Sequence, residues 1–100
     1  SAIMATCVVA TPESGCWVGL MIDATANDQV LKLSADGKQL LSVGGFGMPS
    51  SLAFDPKDNG CWVTDSNNGL VVKLSANGQK VMNIQGFNQP KPVAVGYLVK

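Results

Sequence analysis

The side chains that could do chemistry in this chain are seven carboxylates and three thiols, and no histidine accompanies them. Without imidazole, neither a Ser-His-Asp nor a Cys-His arrangement can form, and the sequence has no glycine-rich phosphate-binding motif. Two carboxylates can act as an acid–base pair, but Glu13 and Asp58 occupy separate turns that we expect to be distant and solvated. The sequence therefore predicts no catalytic residues and a protein that is not an enzyme.

The three cysteines, Cys7, Cys16 and Cys61, are odd in number, and no pair has the C-x-x-C spacing of a zinc site. Because histidine is also missing, the sequence excludes a structural zinc site, and we expect no metal or cofactor. Free cysteine is among the most buried residue types, so the main interpretation is three small residues packed on strands. A disulfide or a reactive thiol is the alternative.

Two segments combine acids and amides in the manner of a calcium loop. Asp65 is followed by Asn67 and Asn68, and a longer segment has Asp23, Asn27 and Asp28. Hard cations need several carboxylate and carbonyl oxygens, whereas the first segment offers one carboxylate and the second offers two. Acids and asparagines in turns more often bond to turn amides or adopt left-handed conformations. We therefore predict turns without metal.

Charge and hydropathy limit the class of protein. Seven lysines balance seven acids with no arginine, so the chain has no basic surface for a phosphate backbone, and we expect no nucleic-acid partner. No apolar run approaches the eighteen residues of a membrane span, so we expect no membrane partner. The 46% apolar content is sufficient for a packed core. These features predict a soluble globular protein.

An internal repeat sets the fold. Val-Leu-Lys-Leu-Ser-Ala-Asp-Gly at 30–37 recurs as Val-Val-Lys-Leu-Ser-Ala-Asn-Gly at 71–78, an offset of 41 residues. Gly-Cys-Trp-Val at 15–18 recurs at 60–63, an offset of 45, so the first copy has four extra residues in a loop. A fixed internal period is typical of repeat architectures, in which each unit buries its apolar face against a neighbour.

Each copy contains four short apolar segments separated by turn residues, and none has the periodicity of a helix. We predict an all-β protein of two four-stranded antiparallel units, with one further strand from Pro92 to Leu98. The predicted strands cover 6–10, 16–21, 29–34, 39–43, 51–55, 61–65, 70–75 and 80–85. The whole chain, 1–100, is one repeat domain, with units at about 5–45 and 46–88 and the first strand of a third unit within 90–100.

The second copy carries a recognisable motif. The string FGMPSSLAFDPKDNGCWVTDSNNGLVVKLSANG, at 46–78, resembles an NHL repeat, which runs Pro, apolar strand, Asp, Gly, aromatic-Val-Thr/Ala-Asp, Asn-Asn, Val, Lys and Gly. The resemblance covers nearly the whole chain, although the first copy has Leu20 in place of the strand-ending Asp and Met4 in place of Pro. It implies two blades of a β-propeller, usually a six-bladed one.

The resemblance implies several functions, because the fold does not fix the function. We expect a non-catalytic binding or scaffold module that presents a loop-lined face to a small molecule, a glycan or a protein. The alternatives are a fragment of an NHL-type enzyme, such as a lyase with its catalytic residues on other blades, and an isolated or engineered two-blade unit that assembles with itself. The residues expected on the loop face are Asp23, Asn27, Asp28, Phe46, Met48, Asp65, Asn67, Asn68, Phe87 and Gln89.

The aromatic residues have two interpretations. Trp17 and Trp62 occupy equivalent strand positions and could stack on a sugar, but their Cys and Val neighbours favour packing between blades. Phe46 and Phe87 lie in glycine- and proline-rich segments, where packing within the loop is favoured over a ligand contact.

Two blades leave an apolar face open at each end, which predicts self-association. The two end faces differ, so the contact between copies should be head-to-tail, and such a contact closes into a ring when the rotation fits. Three chains of two blades would give six blades, so a homotrimer is favoured. Pro92–Leu98 matches the first strand in repeat position, so we expect either that the two strands compete for one place in a blade or that the strand is exchanged between chains, and a dimer is the alternative to the trimer.

Overall fold

The computed structural model describes residues 3–13, 15–22 and 27–86, and within them eight strands and one short helical turn. Every strand predicted within this range is present. The strands are β1 (Met4–Ala10), β2 (Cys16–Met21), β3 (Asp28–Leu33), β4 (Gln39–Phe46), β5 (Pro49–Asp55), β6 (Gly60–Asp65), β7 (Leu70–Leu74) and β8 (Lys80–Ile84), with a 3₁₀ turn at Ser66–Asn68. The predicted ninth strand, Pro92–Leu98, lies outside the described residues.

The strands form two antiparallel sheets of four, in the order β1-β2-β3-β4 (sheet 1) and β5-β6-β7-β8 (sheet 2). The all-β prediction is therefore confirmed. Equivalent turns join β3 to β4 and β7 to β8: the Gly37 N–H donates to the Ser34 carbonyl and the Gly78 N–H to the Ser75 carbonyl, each at 2.9 Å. Both glycines have positive φ, 84° and 87°, which explains why Gly ends both turns.

One connection differs from its prediction. The segment 44–49 was expected to be a loop, but β4 continues to Phe46, which pairs with Asp28, and β5 begins at Pro49. Only Gly47 and Met48 remain between the sheets. The two glycines at 44 and 45 indicated a loop from sequence, whereas the burial of Phe46 keeps this stretch in the ladder.

The core lies between the sheets. In sheet 1, cross-strand pairing places Val9, Trp17, Lys32 and Leu41 side by side on one face, which we call the front. In sheet 2 the front is the face that carries Trp62, and the back is the opposite face. The front of sheet 1 packs against the back of sheet 2. The buried cluster joins Trp17, Val30 and Phe46 of sheet 1 to Leu52, Cys61, Val63, Val72 and Leu74 of sheet 2. Nonpolar burial of this extent is the main stabilising contribution to such a fold.

Two faces have no sheet against them within the described chain. The back of sheet 1 carries Val8, which is 66% exposed, and the front of sheet 2 carries Met82 and Ile84, 48% and 39% exposed. Trp62 on that front face is half-buried, whereas its counterpart Trp17 is fully buried. Each open face is therefore the repeat equivalent of a face that is covered between the sheets.

The β1–β2 turn is one residue shorter than the β5–β6 turn. Equivalent residues are therefore 45 positions apart in β2 and β6 but 44 positions apart in β1 and β5. Val9 pairs with Trp17, and Ala53 pairs with Trp62. Continuing along each strand, Thr11 therefore stands where Asp55 stands. No helix in the described part of the chain is long and apolar enough to cross a membrane.

Candidate functional site

Most of the predicted site residues lie at the end of the molecule that holds the β2–β3 connection, the β4–β5 connection and the 3₁₀ turn, here called the loop end. Its described carboxylates, Asp28 and Asp65, are engaged in structural contacts. Asp65, 1% exposed at the end of β6, accepts the Gly47 N–H at 2.7 Å and the Asn68 side-chain N–H at 2.9 Å. Asp65 thus ties the connection between the sheets to the 3₁₀ turn, after which Gly69 adopts a left-handed conformation. These are the turn contacts that the metal-free interpretation of Asp65 requires.

Asp28 has a similar role in sheet 1, from a different strand. It is 2% exposed at the start of β3, and its Oδ1 accepts the Ile22 N–H at 2.9 Å. Each carboxylate thus accepts a backbone N–H: Asp28 accepts that of Ile22, and Asp65 accepts that of Gly47, which follows Phe46, the ladder partner of Asp28. The described residues contain no group of three or more Cys, Asp or Glu side chains arranged to hold a metal ion.

The apolar residues of the loop end pack inward. Phe46 is fully buried in the core, and the Lys80 ammonium lies 4.4 Å from its ring centroid, within the range of a cation–π contact. Met48 is half-buried and has φ of 124°, a left-handed conformation that is unfavourable for a residue with a side chain. Phe46 therefore has the packing role that was favoured for it.

Three of the predicted site residues are exposed at this end, Asn27, Asn67 and Asn68. They offer amide donors and acceptors to solvent, although Asn68 is also bonded to Asp65. Asp23, Phe87 and Gln89 lie outside the described residues. Among the described residues that were predicted to contact a ligand, those exposed at this end thus offer neutral amides.

A cleft of about 280 Å³ lies at the other end of the molecule, where the two sheets meet beside their β1–β2, β3–β4, β5–β6 and β7–β8 turns. The sequence analysis did not predict it. Its described lining residues are Thr11, Glu13, Gly15, Lys32, Leu33, Ser34, Ala35, Leu40, Phe54, Asn59 and Ala76. The cleft therefore combines an apolar wall with one lysine and one acid.

A compact ion-pair cluster stands at the same end of sheet 2. Lys73, 6% exposed, donates to Asp55 Oδ2 at 3.1 Å and to Asp58 Oδ2 at 2.5 Å, and its ammonium lies 5.1 Å from the centroid of the Trp62 ring. The Trp62 indole N–H donates to the same Asp55 Oδ2 at 3.2 Å. One carboxylate oxygen of Asp55 thus accepts both the indole and the ammonium donors.

The contacts of this cluster shift the acidities of its members. The Lys57 backbone N–H, and after it Lys73 and Trp62, hold the pKa of Asp55 below its usual value, and the Lys73 hydrogen bond does the same for the pKa of Asp58. Burial acts to lower the pKa of Lys73, but Asp58 and Asp55 outweigh it and raise that pKa. The three groups are therefore charged together over the ordinary pH range.

The corresponding place in sheet 1 lacks the acid. Lys32 lies 5.2 Å from the centroid of the Trp17 ring, as Lys73 does over Trp62, but Thr11 replaces Asp55. Lys32 instead donates to the Ala76 carbonyl of sheet 2 at 3.0 Å. The indole N–H of Trp17 is buried with no hydrogen-bond partner within the part of the chain that the structure describes. Aligning the turns TPESG and DPKDNG on their Thr-Pro and Asp-Pro would have shown this replacement from sequence.

The cysteines are free thiols in this structure. Cys61 is fully buried between the sheets, and desolvation raises its pKa to about 12. Burial also raises the pKa of the half-buried Cys7. Cys16 is half-buried on the open back of sheet 1. A raised pKa suppresses the thiolate, the reactive form, so neither Cys7 nor Cys61 has the environment of a nucleophile.

Comparison with known proteins gives a likeness of fold. No family model matches the chain, and no curated protein matches it. Among solved structures, a protein of unknown function from Bacteroides caccae superposes with a TM-score of 0.59 at 14% sequence identity. The match covers 92% of this chain and 35% of that one, so this chain spans about a third of the length of the solved structure. The resemblance to the NHL repeat stays a prediction.

Proposed function

We propose that this chain is a non-catalytic binding or scaffold module of β-propeller type, in which each sheet is a blade and further blades come from other copies of the chain. The observation that carries the proposal is that the open front of sheet 2 repeats, position for position, the front of sheet 1 that sheet 2 covers. The open front of sheet 2 is therefore suited to bind a surface like the back of sheet 2, which covers the front of sheet 1.

The front faces correspond in residue type as well as in position. Trp62, Lys73, Met82 and Ile84 stand where Trp17, Lys32, Leu41 and Val43 stand in sheet 1. Leu41 and Val43 pack against the buried core, whereas Met82 and Ile84 are exposed. Exposed apolar side chains clustered on one sheet face are typical of an interaction surface.

The back faces correspond in the same way. Sheet 2 meets sheet 1 through Leu52, Cys61, Val63, Val72 and Leu74, and the open back of sheet 1 offers Val8, Cys16, Val18, Leu31 and Leu33 at those positions. The back of one copy therefore suits the front of the next. This contact is head-to-tail, and it closes into a ring when the rotation per blade divides a full turn.

The size of the solved structure supports a ring of six. The 92% of this chain that is matched forms 35% of that structure, whose length is therefore about 260 residues. With repeats of 41 to 45 residues, that length accommodates about six units. Three copies of the present chain would supply six blades, so we propose a homotrimer, which presents the loop end, with Asn27, Asn67 and Asn68, to a small-molecule, glycan or protein ligand.

The mass in solution tests the assembly. Multi-angle light scattering on the purified chain should give three times the sequence mass of 10.4 kDa. Met82→Glu places a charge on the open front face, where burial of an unpaired charge is costly, and should give a monomer. If the wild-type chain stays monomeric as its concentration is raised, the proposed assembly is wrong.

Val81→Glu is the matched control. Val81 is the neighbour of Met82 and is 56% exposed, and its equivalent Leu40 remains 58% exposed although sheet 2 covers the face of its strand. Leu40 also lines the cleft where the two sheets meet, so this position lies at the rim of the contact between sheets, and Val81→Glu should weaken assembly far less than Met82→Glu does. Equal disruption by both substitutions would indicate association through the β8 edge rather than through the front face.

A further inference from the structure

The front of sheet 2 is open over its last strand but not over its first two. Ala53 on β5 and Thr64 on β6 lie on this face with Trp62, and they are only 7% and 2% exposed. Met82 and Ile84, on β8, are exposed. No described sheet lies against this face, so the burial over β5 and β6 calls for a covering element from outside the described residues.

Sheet 1 shows which element covers the same part of a front face. There β5 lies over β1 and β2, the first two strands, and Leu52 of β5 belongs to the buried cluster that contains Trp17. β5 is reached directly from β4, because only Gly47 and Met48 separate the two strands. The front of sheet 2 is therefore suited to a strand that follows β8 at the same spacing.

The chain beyond β8 repeats this connection in sequence and in backbone. The segment GFGMP at 45–49 recurs 41 positions later as GFNQP at 86–90, so the distance from the end of the sheet to the proline is the same. Gly45 and Gly86 both have positive φ, 83° and 99°, a conformation that glycine allows. The backbone at Gly86 thus begins the same turn that leads from sheet 1 into β5.

We propose that residues 90–98 bind the front of sheet 2 of their own chain, over β5 and β6, as β5 binds the front of sheet 1. The occupant of this surface is then the C-terminal segment, which is attached to the surface that it covers. Docking of an attached segment takes place at a high effective concentration and needs no second molecule. Met82 and Ile84 stay exposed, because a strand in this place does not reach β8.

Val93 and Val95 are the residues that make the contact. The sequence LAF at 52–54 recurs as VAV at 93–95, so the two valines take the places of Leu52 and Phe54, which pack into the core between the sheets. Valine is also favoured in strands. Ala94 lies between them on the opposite face of the strand and points away from sheet 2.

The docked segment competes with a neighbouring copy. Residues 90–98 and β1 are equivalent in the repeat, so in the proposed ring β1 of the next copy takes the place that the segment occupies in the free chain. Only one of them fits on the front of sheet 2, and the segment therefore limits assembly until it is displaced. This consequence rests on the proposed function, whereas the docking itself does not.

NOE spectra of the full chain with Met82→Glu test the docking without assembly, since Met82 lies outside the covered part of the face. The methyl groups of Val93 and Val95 should show NOEs to the Trp62 ring. Adding Val93→Glu should remove these NOEs and shift the Trp62 indole signal, whereas the matched control Ala94→Glu should retain both. A parent spectrum without these NOEs, or a Trp62 signal that Val93→Glu leaves in place, overturns the proposal. A monomeric wild type would give the same readouts, so failure of the ring is distinguishable from failure of the docking.

Light scattering over a concentration series tests the competition. In the otherwise wild-type chain, Val93→Glu should assemble at a concentration at least about threefold lower, because a docked segment leaves only a fraction of the chains with a free face. Ala94→Glu should assemble at the wild-type concentration. If Val93→Glu instead needs a higher concentration, the segment contributes to the contact between copies, and the proposed competition is wrong.

Discussion

Trp17 and Trp62 stand at the same position of the repeat, on the same kind of strand, each beneath a lysine, and yet they are stabilised by different means. Trp17 is fully buried by the neighbouring sheet, and its lysine bonds to a carbonyl of that sheet. Trp62 is half-buried, and its indole and its lysine are satisfied by Asp55 within its own sheet. The contacts that stabilise equivalent residues therefore depend on what covers them and on the identity of one turn residue, and not on their position in the repeat.

The comparison also explains how sheet 2 tolerates an open face. Lys73 is almost fully buried, which would be costly for an unpaired ammonium, but Asp55 and Asp58 compensate its charge locally. Lys32 has no such ion pair with any residue that the structure describes, and it bonds to a carbonyl of the next sheet. The polar end of the open front face is thus complete in itself, and only its apolar part, around Met82 and Ile84, is left for a partner.

The sharpest expected contrast is between the equivalent cysteines. Cys61 is buried between the sheets with its pKa raised to about 12, and Cys16 is half-buried on an open face. Burial shields the Cys61 sulfur and suppresses its thiolate, so a variant that keeps only Cys61 should label at least about a hundredfold more slowly in native protein than one that keeps only Cys16. Measurement with a thiol reagent in the Met82→Glu background keeps the back of sheet 1 uncovered. Comparable rates for the two would mean that the sheets separate readily.

Truncation of the two tryptophans should separate the covered face from the open one. Trp17→Ala removes a fully buried ring and should lower the free energy of unfolding by about 3–5 kcal/mol. Trp62→Ala removes a half-buried ring in a monomeric Met82→Glu background and should cost about 1–2 kcal/mol, mostly through lost contact with Lys73. Urea denaturation of both variants in that background measures the difference. Equal losses would contradict the assignment of the core to the space between the sheets.

Removal of the two lysines should have unequal effects. Lys73→Met leaves Asp55 and Asp58 without their cation, at a cost of about 1–3 kcal/mol, because hydrogen bonds to buried charged groups are among the stronger ones. Lys32→Met loses a bond to a neutral carbonyl and should cost about 1 kcal/mol or less. Thermal unfolding of the two variants tests the order, which would be reversed if the contact with Ala76 were the more important one.

Acid titration should show the smallest effect. Because the folded pKa values of Asp55 and Asp58 lie below the ordinary value of 3.8, their contribution to stability is present above that pH and is lost as the pH falls through the folded values. Unfolding midpoints in urea should therefore be level from pH 7 to near 4 and decline below it. Lys73→Met should reduce this acid dependence, whereas Asp36→Asn, which alters an exposed acid of sheet 1, should leave the part due to Asp55 and Asp58 intact.

The fold was largely predictable because its determinants are local. Turn residues such as Asn59-Gly60 and Asn77-Gly78 end the strands, and the offset of 41 aligns β3 with β7 and β4 with β8. The extension of β4 to Phe46 was missed, since it depends on pairing with Asp28 and on burial by the other sheet. Glycine next to glycine indicates a loop only when nothing packs against the residues that follow.

The site was less predictable because it depends on the meeting of two sheets. Asp28 and Phe46 were expected in loops but lie in β3 and β4, and the buried contacts of Asp28 and Asp65 appear only with the partners Ile22 and Gly47 in place. The cleft was not anticipated because it forms where turns of both sheets meet. The match of Thr11 with Asp55 was also missed, because the offset of 45 that aligns the tryptophans does not align these two residues. A difference of one residue in turn length is enough to separate the alignment of one strand from that of its neighbour.

The meander order of the strands has a consequence for how the chain folds. Each strand of a sheet pairs only with its neighbours in sequence, so the ladders form through short hairpin closures that require little loop entropy. The contacts between the sheets are made mainly where β5 meets β1 and β2, and the two sheets are joined by only two residues, Gly47 and Met48, between β4 and β5. We therefore expect the hairpins of each sheet to form first, and the docking of the two sheets, which buries the core, to follow as an intramolecular step at high effective concentration.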